Sequence, residues 1–306
     1  MNNLITILGV TATGKTRLAV ELASMINGEI ISGDSRQVYK DMNMGTGKDI
    51  DEYSFNGESI PYHLIDIVDP GYEYNVYEFY RDFHNAYDDI VSREKMPIMC
   101  GGSGLYLDAV ISEYKFNKVP INEFLRKNLE EFSDEELSKK LESFGPLHNV
   151  SDTSDRHRLI RAIEIAEFEK KNTHIEEKRK PINSINFGIR FDRDTIRRRI
   201  TNRLNDRLEN GMIEEVRSLL ENGLTPDQLM FYGLEYKYLT MHIIGQMEYD
   251  EMYSRLNTAI HQYAKKQMTW YRKMERKGVK IHWIDGKINL DNKITVVMGM
   301  LRKYQG

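Results

Sequence analysis

The chain has 306 residues, of which 40% are hydrophobic and 29% charged, with 7 prolines. That excludes a disordered or collagen-like chain and allows one sizeable α/β domain with an insertion. A single cysteine, Cys100, excludes an intrachain disulfide and a cysteine-based zinc cluster, and the net charge of −4 gives no hint of a polyanionic partner.

The apolar runs are strand-sized, far short of the roughly 20 residues a membrane helix needs. The N-terminal Met-Asn-Asn has no secretory pattern, so a cytoplasmic protein without membrane contact is expected. The charge average conceals a split. Residues 1–114 hold 8 basic and 18 acidic side chains, and residues 115–306 hold 35 and 29, a net of −10 followed by +6. Such asymmetry points to an anionic partner for the second part.

In chain order, Leu4–Gly9 reads as a strand, Lys15–Ile26 as a helix, and Glu29–Ser32 and His63–Val68 as strands. Tyr77–Arg93 reads as a helix whose Tyr77, Tyr80, Phe83 or His84, Tyr87 and Val91 form a packing stripe. Met96–Cys100 is a strand and Leu105–Ile111 a helix. The next stretch is charge-dense, with helices over Asn122–Phe144 and Asp155–Lys171. Asn186–Phe191 resumes strand character. The helices Asp194–Asn210 and Ile213–Asn222 end at Gly211 and Gly223. A long helix over Tyr249–Lys277, a strand at Val279–Ile284 and a closing helix complete the chain. Strands alternating with helices predict an α/β fold. It is a P-loop NTPase-like parallel sheet core flanked by helices (1–114 and 186–306), with a helical insertion domain over 115–185.

The P-loop follows from Gly9-Val10-Thr11-Ala12-Thr13-Gly14-Lys15-Thr16, a full match to G-x-x-x-x-G-K-[ST] between a strand and a helix. Its backbone N–H groups and the helix N-terminus form an anion site, Lys15 adds a full charge, and the Thr16 hydroxyl is placed for Mg²⁺. A di- or triphosphate should bind there. Two more strands end in polar segments, Ser32 to Gln37 and Gly101 to Tyr106. Strand carboxyl ends of a parallel sheet share one crevice. Asp34 should therefore reach whatever reacts at the phosphate, and Ser103 should bring its hydroxyl to a helix N-terminus. By themselves both also fit local capping roles.

Together with the P-loop, these segments resemble the tRNA dimethylallyltransferases of the isopentenyltransferase family. The resemblance extends through Glu29 to Ser32, Asp34 to Tyr39, Met44-Gly45-Thr46, Pro61 to Asp66, Asp155 to Glu164, Gly211 with Glu214-Glu215-Val216, and Tyr263 to Gln267 with Thr269-Trp270. It implies transfer of a dimethylallyl group from dimethylallyl pyrophosphate to the N6 amine of the adenosine 3′-adjacent to the anticodon of tRNA, with Mg²⁺ as cofactor. It implies that Gly9 to Thr16 hold pyrophosphate rather than a nucleotide. Asp34 becomes the general base, with Lys15, Thr16, Ser103 and Arg203 around the leaving group. Contacts to the tRNA anticodon stem-loop fall on Asp34, Ser35, Arg36, Gln37, Ser103, Arg126, His157, Arg158, Leu159, Ile160 and Arg161. Lys266 and Trp270 join them from a helix face shared with Lys273 and Lys277, and the basic stretch Arg190–Arg207 is a further candidate. A monomer is expected.

The sequence departs from the family pattern at Ser103, where a threonine is usual, at Ile260-His261, and across Tyr232 to Lys237. The last two are expected in tRNA-facing or peripheral parts. One rival reading is prenylation of free adenine nucleotides. Another is a P-loop kinase in which Asp66 or Asp69 holds Mg²⁺ and Arg197–Arg199 with Arg203 close over ATP. A third is an RNA-binding protein without catalysis.

Overall fold

The computed structural model describes residues 3–117, 119–145, 156–172 and 181–305. All six residues of β1 (Leu4–Gly9) are buried, as a strand covered on both faces requires. It is followed by α1 (Lys15–Ile26), β2 (Gly28–Ser32), the hairpin β3 (Ser54–Phe55) and β4 (Glu58–Ser59), and β5 (Tyr62–His63). Next come α2 (Val76–Ser92), β6 (Met96–Gly101) and α3 (Gly104–Ile111). After the insertion, β7 (Ser184–Arg190) leads into α7 (Arg193–Glu209), α8 (Met212–Glu221), α9 (Pro226–Phe231), α10 (Leu234–Ile243), α11 (Tyr249–Arg276), β8 (Ile281–Asp285) and α12 (Leu290–Gln305). The sheet runs β5-β2-β6-β1-β7-β8, and every pairing in it is parallel. Alternate residues of β1 feed two cores, Leu4 and Leu8 on one face and Ile5 and Ile7 on the other. No described helix is long and apolar enough to cross a membrane.

The chain divides into two compact units, residues 1–114 with 181–306, and residues 115–180. Within the second, α4 (Glu123–Leu129), α5 (Asp134–Glu142) and α6 (Arg156–Lys171) close around Leu129, Leu137, Leu141, Leu159, Ile160 and Ile163. The sequence reads one helix over Asn122–Phe144. The structure breaks it at 130–133, because Ser133 and Glu136 form a reciprocal capping box that starts a new helix. Asp155, the expected start of the next helix, lies outside the described residues.

Three other expectations need correction. Of the His63–Val68 stretch only His63 falls in a strand, the end of β5, because Leu64 and Asp66 adopt left-handed backbone with φ of 61° and 55°. Asp66 turns inward to pair with the fully buried Lys48, which also donates to the Tyr39 carbonyl and, at 3.2 Å, to Asn43. On α2 the buried stripe is Phe79, Phe83, His84, Tyr87 and Ile90; Val91 is exposed. Residues 225–243, unassigned from sequence, form α9 and α10, and α9 opens on a Thr225–Gln228 capping box with proline in its first turn.

The buried Glu29 of β2 anchors the sheet to the end of α2. It pairs with Arg93, accepts from Arg93 Nη2 at 2.8 Å, and meets His63 Nε2 at 2.8 Å and Lys95 at 3.5 Å. The Arg93 hydrogen bond above all holds its carboxyl down at about 2, against the opposing effect of burial. A depressed carboxylate stabilises the fold above its unfolded value and loses that contribution as pH falls through the folded one. Urea denaturation should therefore show stability declining from about pH 4.5 toward pH 2, and Glu29→Gln should flatten that decline. An unchanged acid profile in the variant would remove the ion cluster as its cause.

Candidate active site

β1, β2 and β6 all deliver their carboxyl ends to one cavity of about 690 Å³, built wholly within the larger unit. The loop after β1 turns through left-handed backbone at Ala12 and Gly14 (φ 62° and 79°), with Gly14 capping α1. Thr11, Ala12, Gly14, Lys15 and Thr16 line the cavity. Gly9, Val10 and Thr13 lie behind it, with the buried Thr13 hydroxyl donating to the Val10 carbonyl at 2.9 Å. Burial pulls the Lys15 ammonium below its ordinary value, and Arg203 adds to that pull while Asp34 opposes it.

The loop after β2 supplies Asp34, Ser35, Arg36 and Gln37, all lining the same cavity. Asp34 Oδ1 accepts the Arg36 N–H at 3.0 Å, a local turn that fixes the carboxylate against its own backbone. Arg36 lies over the Phe231 ring, 5.3 Å from its centre. Gly101, at the end of β6, packs on the Gly33 backbone so closely that a Cβ would collide with it. Ser103, expected beside the phosphate, is buried outside the lining. Its hydroxyl accepts from Ser35 N at 2.9 Å and lies 3.2 Å from the Ser35 hydroxyl, joining the two loops.

α7 presents Arg199, Arg203 and Arg207 to the cavity at helical spacing. Arg199 Nε donates to the Ala12 carbonyl at 2.8 Å, and Arg203 donates to the Thr11 hydroxyl at 3.2 Å and to Asp49 at 2.7 Å. Arg207 reaches Asp49 at 3.0 Å. Burial alone would raise the Asp49 carboxyl, yet Arg207 and then Arg203 hold it below the usual carboxylate range. Part of the basic stretch expected to face tRNA is thus turned to the phosphate loop. The same i, i+4, i+8 spacing in the sequence carried that signal.

Two side chains of α11 complete the loop's backbone bonding. Gln267 Oε1 accepts from Thr11 N at 3.0 Å while its Nε2 donates to the Gly102 carbonyl at 2.9 Å. The Tyr271 hydroxyl lies 3.1 Å from the Gly9 carbonyl and 3.2 Å from that of Gly102. No sequence pattern announced either role. Tyr232, Gly233, Leu234, Glu235 and Lys237 line the cavity too, with Ile260. The departures across Tyr232 to Lys237 and at Ile260 are therefore in the cavity wall, not peripheral. His261 is outside the lining and sits 3.2 Å from the Thr201 hydroxyl of α7.

Lys266 is exposed on α11, whereas Trp270 is half-buried against Gly104, with the Lys273 ammonium 4.9 Å from its ring centre. In the smaller unit, His157 and Arg158 are exposed on α6. Leu159 and Ile160 are core residues there, so their side chains pack instead of offering a contact surface. Arg126 and Arg161 converge on the buried Glu164, which also accepts from Asn122 N at 2.5 Å. Arg161 donates as well to the Val119 carbonyl at 2.8 Å. Burial would raise the Glu164 carboxyl, and these hydrogen bonds, Arg126 first, outweigh it. Glu164→Ala should destabilise this unit by about 1–3 kcal/mol, measured by urea denaturation followed at its own residues. A wild-type midpoint would mean that the ion cluster contributes nothing.

The kinase reading loses its metal ligands. Asp66 is paired with Lys48 and Asp69 with Lys40 at 2.9 Å, and neither lines the cavity. What the fold and cavity define is a P-loop α/β protein that can bind an anionic leaving group and offer a carboxylate to a nucleophile entering beside it. The comparisons narrow the class. The IPP transferase family matches residues 37–274 and the isopentenyl transferase family residues 2–59. The chain is 53% identical to the tRNA dimethylallyltransferase 2 of Bacteroides fragilis over 99% of both chains. It is 50% identical to the tRNA dimethylallyltransferase 1 of Parabacteroides distasonis over 97% of both. The full-length tRNA isopentenylpyrophosphate transferase of Bacillus halodurans superposes with a TM-score of 0.73 at 29% identity, covering 99% of this chain and 96% of that one. The chain belongs to the IPP transferase family.

Proposed function

We propose that the chain transfers a dimethylallyl group from dimethylallyl pyrophosphate to the N6 amine of the adenosine 3′-adjacent to the anticodon in tRNA. The observation that carries this reading is the meeting of Asp34 with Lys15 and Thr16 in one cavity. The relatives' names, which specify tRNA and the dimethylallyl group, support it.

In this reading the pyrophosphate lies on the N–H groups of the phosphate loop, with Lys15 and Arg203 beside it. As the allylic C–O bond breaks, its electron pair goes to pyrophosphate, and fixed cations stabilise that growing charge more than they stabilise the bound substrate. The adenine amine is a poor nucleophile because its lone pair is delocalised into the ring. Asp34 accepts its proton as the N–C bond forms. To reach the cavity the base must leave the anticodon-loop stack, and Arg36 with the Phe231 ring is suited to stack on it.

Mg²⁺ fits the donor set. Among the described residues no cluster of three or more His, Cys, Asp or Glu is arranged to hold a metal. The Thr16 hydroxyl, which lines the cavity beside Lys15, would hold the ion there. Bound there, the ion supplies charge neutralisation of the leaving group.

The smaller unit is assigned to the anticodon stem-loop through His157 and Arg158, with Arg126 and Arg161 available once Glu164 shares them. One assay tests the whole reading: Mg²⁺, labelled dimethylallyl pyrophosphate and ATP, with either unmodified tRNA or AMP. Label in tRNA is the expected result. Label in AMP alone, or ADP formation, would overturn it in favour of nucleotide prenylation or a kinase.

A further inference from the structure

The segment 43–47 forms one wall of the cavity through Gly45, Thr46 and Gly47, and nothing in the proposed chemistry uses its side chains. It has no regular secondary structure to hold it, since its backbone lies between β2 and the turn at Ile50–Tyr53. The N–H of Gly47 bonds within the segment, to the Asn43 carbonyl at 2.9 Å, but those of Asn43, Met44 and Gly45 are satisfied from far along the chain. Glu215, in the first turn of α8, accepts from Asn43 N at 3.0 Å and Met44 N at 2.7 Å through one oxygen. Through the other it accepts from Gly45 N at 3.2 Å and from the Tyr236 hydroxyl at 2.6 Å. Four donors on one carboxylate fill its acceptor capacity. Gly45 presses on the Tyr236 ring, where a Cβ would stand 2.6 Å from ring carbons.

The same segment touches both halves of the site. Gln37 Nε2 donates to the Gly47 carbonyl at 2.9 Å, Ser32 Oγ donates to Gln37 Oε1 at 2.8 Å, and Asp34 N donates to Ser32 Oγ at 3.3 Å. That path ends at the proposed base. On its other side Gly47, with φ 74°, lies against the guanidinium groups of Arg203 and Arg207, so that a Cβ would stand 2.7 Å from Arg203 Nη2. That path ends at the leaving group.

Accordingly, we infer that Glu215 is a positioning residue for this reaction: its carboxylate holds segment 43–47 in the register that sets Asp34 and Arg203 relative to each other. The inference rests on the function proposed above. It does not touch substrate. Its effect is geometric, and a misplacement of about 1 Å in reacting groups costs about 10²-fold in rate. Three consecutive N–H groups converging on one anion also make a site that a small carboxylate can refill.

The test uses the full chain with Glu215→Ala and Glu215→Gln, tRNA and labelled dimethylallyl pyrophosphate, with and without formate. Hydrogen exchange at residues 43–47 is followed in parallel. Glu215→Ala should lose about 10²-fold in kcat, with tRNA affinity within about threefold, and formate should restore about tenfold. Exchange at 43–47 should rise in the variant and fall again with formate. Glu215→Gln keeps the shape and one acceptor oxygen, so it should lose less and gain nothing from formate; it also carries the test if the alanine variant does not fold. A kcat within about threefold of wild type, a loss that formate leaves untouched, or unchanged exchange overturns the inference. Wild-type protein that modifies no tRNA fails the function, not the hold on the loop, which the exchange data still decide.

Discussion

Asp34→Asn lowers kcat on tRNA by about 10²–10⁴-fold and leaves tRNA affinity within a few-fold, if Asp34 removes the amine proton. The substitution keeps the oxygen that accepts the Arg36 N–H at 3.0 Å, so the loop after β2 should hold its shape. What it removes is the basicity of the second oxygen, the one left for the incoming amine. Single-turnover transfer of labelled dimethylallyl pyrophosphate reads the chemistry, and filter binding reads affinity. Equal losses in both would return Asp34 to a binding or capping role. Ser103→Ala offers a contrast, because its hydroxyl bonds to Ser35 outside the cavity lining. It should act more weakly than Asp34→Asn and through loop order.

The second large effect concerns Lys15. Lys15→Met should lower kcat by about 10²–10³-fold, the cost of removing one preorganised group from a site of developing negative charge. It should also raise KM for dimethylallyl pyrophosphate. Wild-type activity in this variant would exclude the phosphate loop from leaving-group stabilisation. The group has a pH signature too. Burial lowers the folded value of the Lys15 ammonium beneath 10.5, and only the protonated form attracts pyrophosphate. As pH rises, kcat/KM for dimethylallyl pyrophosphate should therefore fall at a pH below 10.5, since this ratio reports the free enzyme. Lys15→Arg keeps its charge at every accessible pH and should shift that limb upward.

How much of this could be read in advance depends on whether a residue acts locally. The phosphate loop and α1 were legible because a turn, a helix N-terminus and a lysine act within eight consecutive residues, and α1 begins and ends where the pattern placed it. Asp34 was legible because a parallel sheet sends strand ends to one crevice. By contrast, His63–Val68 misled because a buried Lys48 elsewhere in sequence draws Asp66 inward and breaks the strand. Leu159 and Ile160 came with a basic motif, yet helical geometry turns them into the core while His157 and Arg158 face out. Glu215 and Gln267 fell inside motifs shared with the family and Tyr271 outside them, yet none of the three showed its role locally. They act on backbone groups 170, 256 and 262 residues away, and a partner at that distance has no period or spacing to betray it.

The bonds from Gln267 and Tyr271 to the phosphate loop also set an order in time. Residues 9–11 leave the ribosome well before the side chains that complete their hydrogen bonding, which are 256 to 262 residues later. At 5–20 residues per second that gap is roughly 15–50 s of synthesis. During it the nascent sheet has a phosphate loop whose Thr11 N–H and Gly9 carbonyl await their partners, even after β7 has become available to pair with β1. A nascent chain halted at residue 250 should therefore bind pyrophosphate weakly, and one extended past Tyr271 should bind it well. In this family member, full bonding of the phosphate loop waits for a helix that lies more than 250 residues further along the chain.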